Sequence, residues 1–186
     1  MLVLASKSPR RQQILRDAGI PFVVRAADVA EERRSGESPV NYVRRLAEEK
    51  ASAVPLESGE VVLGADTVVV VAGQVLEKPR DAADAMRMLA LLSGREHEVI
   101  TGICLRSATR KIVDTAITRV RFVVLTAEEL EAYAASGEPM DKAGAYAIQG
   151  LASKFIDRIE GDYFNVVGLP LARVTQALAE LGWSRD

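Results

Sequence analysis

The chain holds one histidine, His97, and one cysteine, Cys104, among its 186 residues. A zinc site built from several imidazoles is therefore excluded. A Ser-His-Asp or Cys-His nucleophile would have to use His97. That residue sits between Glu96 and Glu98, and no Gly-x-Ser-x-Gly motif accompanies it, so it reads as structural or exposed. A single cysteine forms no intrachain disulfide. Cys104 lies in an apolar run and reads as a buried structural thiol, compatible with a reducing compartment. No apolar run approaches the roughly 18 residues of a membrane span, and no basic stretch followed by a long apolar segment opens the chain. Neither a membrane anchor nor a signal peptide is expected, and a cytoplasmic location is. A basic surplus is missing too: 24 Lys and Arg stand against 26 Asp and Glu, for a net charge of −2. That excludes a general nucleic-acid binder and makes any anion site local. Chemistry must then run on carboxylates, lysines, arginines and amides. Carboxylates without His or Cys favour hard cations such as Mg²⁺ or Mn²⁺.

What is present is ordinary globular material, 48% hydrophobic and 27% charged, with neither repeats nor low-complexity tracts. The length suits one domain over 1–186, or two small lobes around a cleft. The start is the most telling stretch. Leu2-Val3-Leu4-Ala5 reads as a buried strand feeding through Ser6-Lys7-Ser8-Pro9-Arg10-Arg11 into a helix, with Ser8 as N-cap, Pro9 in the first turn and Gly19 as a left-handed stop. Three cations, two hydroxyls and a set of backbone N–H groups converge there. That combination suits phosphate, although a solvated helix start would look the same. Further along, the pattern predicts a strand over 21–24, a polar loop over 25–37, and a helix from Ser38-Pro39 to about Ala53. Val61–Val71 reads as a long apolar strand broken by Gly64-Ala65-Asp66-Thr67, turning at Ala72-Gly73 into a second strand over 75–77. A helix over 81–92 follows, then strands over 97–106 and 111–125, the latter with Val120, Phe122 and Val124 alternating. Thr126 to Glu129 is a capping box whose helix runs to Gly137. Phe155–Ile159 reads as a strand, and a last helix ends near Gly182. The mixture indicates an α/β or α+β fold.

Asp66 is the sharpest candidate for chemistry. An ionised carboxylate inside a run of valines is costly unless it is paired or holds a cation. It could ligate a metal or deprotonate water; a structural turn between two strands is the plainer reading. Gly64 and Ala65 leave room beside it for another backbone or a ligand, and Thr67 adds a hydroxyl. Lys50 falls on the apolar stripe of its helix with Val43, Leu46 and Ala47, where its amine either snorkels or enters a cleft. Lys78 ends a strand. Glu31 and Glu32 lie in a polar loop, where charge is usually just solvated. Gln149 stands in an Ala/Gly-rich tract: its amide could read a nucleobase edge, or be buried and satisfied by backbone.

Taken in order, Ser6-Lys7-Ser8-Pro9-Arg10-Arg11, Gly64-Ala65-Asp66-Thr67, Glu77-Lys78-Pro79, Asp141-Lys142-Ala143-Gly144-Ala145-Tyr146, Gln149-Gly150 and Asn165-Val166-Val167-Gly168-Leu169-Pro170 resemble the Maf family of nucleoside triphosphate pyrophosphatases. The resemblance spans nearly the whole chain. It implies an elongated mixed β-sheet flanked by helices, with two lobes around a central cleft. It implies hydrolysis of a nucleoside triphosphate to the monophosphate and pyrophosphate with a divalent cation, and a possible homodimer. It implies Asp66 as the base, and Ser8, Arg10 and Arg11 as the phosphate-binding loop, with Arg11 also bearing on base choice. Glu31 would help Asp66 hold metal, Lys50 and Lys78 would reach phosphate oxygens, and Thr67 and Gln149 would bear on specificity. Arg11, Thr67 and Gln149-Gly150 resemble the branch acting on dTTP and UTP; another branch acts on 7-methyl-GTP. Asp162 stands where many relatives carry serine. The family name also carries a link to septum inhibition, so a nucleotide-binding regulator of division with little turnover is the competing expectation.

Overall fold

Leu2–Leu4 forms β1, a three-residue strand with no residue exposed at all. It pairs in parallel with two neighbours, β2 (Phe22–Val24) and β3 (Val61–Val71), and all three of its side chains are covered. A strand covered on both sides reads as a continuous apolar run rather than an alternation, which is how the N-terminus reads. A computed structural model describes residues 1–26 and 28–184. It contains a seven-stranded sheet in the order β2-β1-β3-β5-β6-β7, where β5 is Glu96–Arg106, β6 is Lys111–Phe122 and β7 is Ile156–Glu160. A further short strand, β4 (Gln74–Leu76), folds back on β3. The chain divides into two compact units: Met1–Thr67 with Thr101–Ala116 and the segment from Gly168, and Val68–Ile100 with Ile117–Val167.

In the first unit, α1 (Pro9–Asp17) and α2 (Pro39–Ala53) both begin on a serine N-cap followed by proline. Ser8 accepts from the Arg11 N–H and Ser38 from the Asn41 N–H, satisfying donors that a helix start leaves open. α2 lies very close to the sheet. A Cβ on Gly64 would sit 2.2 Å from the Ala47 carbonyl oxygen, and one on Gly102 would sit 2.4 Å from that of Val43. Two glycines on adjacent strands therefore admit the helix backbone itself. Val3, Ala5, Val62 and Cys104 pack with Ala47 and Ala51 in the same cluster. Burial pushes the Cys104 thiol up to about 11, as suits a structural cysteine. Arg106 donates to the carbonyls of Ala51 and Val54 at 3.0 and 2.7 Å, closing the far end of α2. The last helix, α6 (Leu171–Glu180), buries Val174, Ala177 and Leu178.

The second unit holds α3 (Ala82–Leu92), α4 (Ala127–Ala135) and a five-residue helix, α5 (Tyr163–Val167). The Thr126–Glu129 capping box is present with both of its hydrogen bonds. Three expectations need correction. β3 runs unbroken through Gly64-Ala65-Asp66-Thr67, because the glycine serves helix packing and not a turn. β4 stops at Leu76 instead of reaching Glu77. β6 stops at Phe122: the pairing with β7 slips between Arg121 and Phe122, and Val124 is 80% exposed on the way to the α4 cap. The short α5 carries too few residues for a periodic signal in the sequence.

His97 is 2% exposed and packs edge-on against Phe122 and Tyr146, with Nε2 2.8 Å from the Tyr146 hydroxyl. Burial holds its pKa down to about 4. The folded chain thus binds this proton less readily than the unfolded chain, whose imidazole titrates near 6.5. Stability is full above pH 6.5 and falls as pH drops toward 4. The share due to this one residue reaches about 1.4 kcal/mol at pH 5.5. Urea midpoints at pH 7.5 and 5.5 check it: the drop should shrink by that amount in His97→Gln, and an equal drop in both proteins would refute the assignment.

Candidate active site

The site in the first unit begins where β1 runs out. The Ala5 N–H bonds the Leu63 carbonyl at 2.8 Å, and beyond it β3 has no β1 partner. The Ala65 carbonyl there is taken by Arg11 Nη1 at 2.9 Å. The same guanidinium donates from Nε to the Gly168 carbonyl (2.8 Å), from Nη1 to Ser6 Oγ (3.2 Å) and from Nη2 to Thr67 Oγ1 (3.1 Å). Four of five N–H groups are thereby spent on the protein. Arg11 is buried, and burial pulls its pKa below the ordinary value despite the opposing pull of Asp66. Thr67 also meets Thr101 Oγ1 at 2.9 Å. Arg11 and Thr67 thus form one buried network that ties the opening turn of α1 to β3 and to Gly168, whose φ of +125° suits glycine alone. A lysine cannot reproduce a planar four-bond fork. Arg11→Lys should lower the unfolding free energy by about 2 kcal/mol, read from denaturant melts, because two buried carbonyls lose their donors.

Asp66 leaves β3 on the opposite face from Thr67, the face that Gly64 opens to α2. The residue is 7% exposed and its carboxylate meets Lys50 Nζ at 2.7 Å. Glu31 meets the same ammonium at 2.5 Å from its more exposed position. The Glu31 loop is held by α2 itself: Tyr42 Oη donates to the Glu31 carbonyl at 3.1 Å and Arg45 Nη2 to that of Glu32 at 2.9 Å. Arg45 also grips Glu37, whose carboxyl it holds down at about 2. Burial raises the Asp66 pKa above the usual carboxylate range, while Lys50 and then Arg11 oppose the shift. A carboxylate that burial makes more basic, kept ionisable by a neighbouring cation, suits proton abstraction near neutral pH.

The structure therefore brings Ser8, Arg11, Lys50, Asp66, Thr67 and Glu31 into one unit, joined by bonds that run through α1, β3 and α2. Arg10 is half-buried on the first turn of α1. Exposed Lys7 pairs with Asp28 at 3.1 Å. Lys50 does not snorkel to solvent: its side chain is 13% exposed and its ammonium is turned to Asp66 and Glu31. Lys78 and Gln149 belong to the second unit, and both are exposed. The buried-amide reading of Gln149 therefore fails. The Glu77 carbonyl beside Lys78 accepts from the Gly144 N–H at 3.1 Å. Gly144 has φ +71°, and a Cβ there would press on Val69 at 2.7 Å, so the Ala/Gly tract packs against the β3–β4 hairpin. Sequence reasoning missed Thr101 as the partner of Thr67 and Gly168 as the partner of Arg11. A threonine inside the apolar run from Val99 to Leu105 is the available signal for the first, and the structure buries it completely.

Over residues 1–181 the chain matches the family described as Maf-like protein. It belongs to the Maf family. Curated relatives include the dTTP/UTP pyrophosphatase of Koribacter versatilis, 52% identical over 97% of this chain and 94% of the relative. That of Symbiobacterium thermophilum is also 52% identical, over 98% and 94%. A HAM1 protein from Coxiella burnetii is similar in fold, with a TM-score of 0.53 at 18% identity, covering 96% of this chain and 98% of that one. For a Maf chain the mixed α/β sheet and the ordered motifs agree with one another. Among the described residues no helix is long and apolar enough to cross a membrane.

Proposed function

We propose that this chain is a hydrolase that converts dTTP and UTP to the nucleoside monophosphate and pyrophosphate. The observation that carries the reading is Asp66, a buried carboxylate of raised pKa that is oriented by Lys50 and lies in a Maf chain 52% identical to named dTTP/UTP pyrophosphatases. Asp66 would take the proton of the attacking water. Arg10, Lys50 and Lys78 would neutralise phosphate oxygens, and the α1 N-terminus at Ser8 would add oriented N–H groups. Arg11 and Thr67 would act on substrate choice through the network they share, since little of the Arg11 fork is left for phosphate.

A divalent cation fits this donor set. Asp66 and Glu31 both aim at one point of positive charge, the Lys50 ammonium. Among the described residues no group of three or more His, Cys, Asp or Glu forms a cage of its own. Two carboxylates completed by substrate phosphate oxygens are the usual holding for Mg²⁺, and Mn²⁺ accepts the same oxygens. When bound, the cation would supply charge neutralisation to the polyphosphate.

A substrate panel with Mg²⁺ tests the reading. kcat/KM should be highest for dTTP and UTP and at least about tenfold lower for GTP and 7-methyl-GTP, a gap of roughly 1.4 kcal/mol. A preference for 7-methyl-GTP, or no turnover with any of the four, would overturn it.

A further inference from the structure

We infer that Tyr133 and Glu138 are positioning residues that set substrate selectivity by clamping the backbone on both sides of Gln149. The inference rests on the reading of Gln149 as a group that meets the base. The backbone N–H of Ala147, two residues before Gln149, donates to the Tyr133 hydroxyl at 3.2 Å. That of Leu151, two residues after it, donates to Glu138 Oε2 at 3.0 Å. The two anchors are joined, because the Tyr133 hydroxyl donates to Glu138 Oε1 at 2.8 Å. One continuous relay therefore holds residues 147 and 151 and leaves the Gln149 side chain projecting into solvent between them.

Three further contacts make the relay rigid. Tyr133 is 3% exposed and stands edge-on to Phe155, with ring centroids 5.6 Å apart. Lys142 donates to the Glu138 carbonyl at 2.6 Å, tying the clamp to the Asp141–Tyr146 motif. A Cβ on Gly150 would fall 2.3 Å from both Glu138 carboxylate oxygens, so the glycine after Gln149 is the space in which the clamp sits. Burial and the hydrogen bond to Glu138 hold the Tyr133 phenol above its ordinary pKa, so it stays a donor at every working pH. A flexible amide discriminates between base edges only when its anchor is held to a fraction of an ångström. Every bond of the relay given above is made within the second unit, between residues that carry no catalytic assignment. Its loss should therefore act on selectivity and KM, leaving the turnover of bound substrate largely as it was.

The test is the ratio of kcat/KM for UTP to that for GTP, measured with Mg²⁺. Gln149→Ala should lower the ratio. Glu138→Ala and Tyr133→Phe should each lower it about tenfold, chiefly by raising KM for UTP, which is the scale of one lost hydrogen bond. Glu138→Gln, which keeps one acceptor, should recover part of the loss. The double variant should lose no more than the worse single one, because both act through one relay. Tyr133→Phe is close to isosteric and carries the test if Glu138→Ala does not fold. The inference is overturned if UTP and GTP activities fall in parallel, or do not fall, while Gln149→Ala lowers the ratio. A ratio unmoved by Gln149→Ala overturns the reading of Gln149 itself, and the clamp's role with it.

Discussion

Asp66→Asn should cut kcat for dTTP between about 10²- and 10⁴-fold, the range that removal of a general base commonly costs. Asparagine has the same shape and can still accept from Lys50, so the 2.7 Å contact that orients the side chain survives. What is lost is the capacity to take a proton and one charge that would help hold the cation, so the comparison is made at saturating Mg²⁺. KM should change far less than kcat, because the groups assigned to the phosphates are untouched. The same substitution should raise thermal stability at neutral pH. Burial lifts the Asp66 pKa in the folded chain, so the folded state binds this proton more tightly than the unfolded state does. Unfolding free energy then falls as pH rises through the ordinary carboxylate range toward the raised value. At pH 7.5 the ionised carboxylate is a net cost that asparagine removes, and the gain should vanish as the pH is lowered toward 4. Melting curves at pH 7.5 and 4 read both halves. A variant that retains wild-type kcat, or that melts lower at pH 7.5, counts against Asp66 as a base held in an unfavourable setting.

Gly64→Ala should destabilise the fold by roughly 3 kcal/mol, a large overpacking penalty, and lower the melting temperature by about 6–12 °C for a chain of this size. The added Cβ would lie 2.2 Å from the Ala47 carbonyl oxygen and 2.7 Å from the Ala51 nitrogen. Both are helix backbone and neither can swing aside, so α2 must move off the sheet. Lys50 lies between those two contacts in the chain, so a lifted α2 carries its ammonium away from Asp66. Activity should therefore fall further than the folded fraction alone accounts for, and Gly102→Ala should do the same from the neighbouring strand. Thermal melts paired with kcat for dTTP check this. A Gly64→Ala protein with wild-type melting would mean that α2 has slack against β3.

The contrast between these two residues shows what the chain discloses by itself. Asp66 is legible because a charge inside a valine run breaks a local rule, and the structure finds it buried with a cation. Gly64 invited a turn because glycine after a strand commonly makes one; its actual reason, a helix backbone seventeen residues upstream at Ala47, has no local trace. Ser8-Pro9, Ser38-Pro39, Asp81 and the Thr126 capping box are legible for the opposite reason, since a helix cap is a bond between residues three apart. Arg11 separates the two kinds of information most clearly. Its place on the first turn of α1 is local, but its Nε partner, the Gly168 carbonyl, is 157 residues away. A reading of composition and spacing therefore credits its fork to phosphate. Val124 reads as strand because alternation continues in the sequence after the pairing with β7 has slipped. The sequence leaves Gln149 between two readings because exposure is a property of the packed chain. The order of the six motifs carries the family, and the geometry then separates Arg11 and Thr67, whose bonds are spent within the frame, from Asp66 and its partner Lys50.

The most direct test is phosphorus NMR of dTTP incubated with the purified protein and Mg²⁺, followed to completion beside the Asp66→Asn variant. The account predicts dTMP and pyrophosphate in equal amounts from the wild-type protein and almost none from the variant over the same interval. Accumulation of dTDP with orthophosphate, or equal rates from the two proteins, would contradict it.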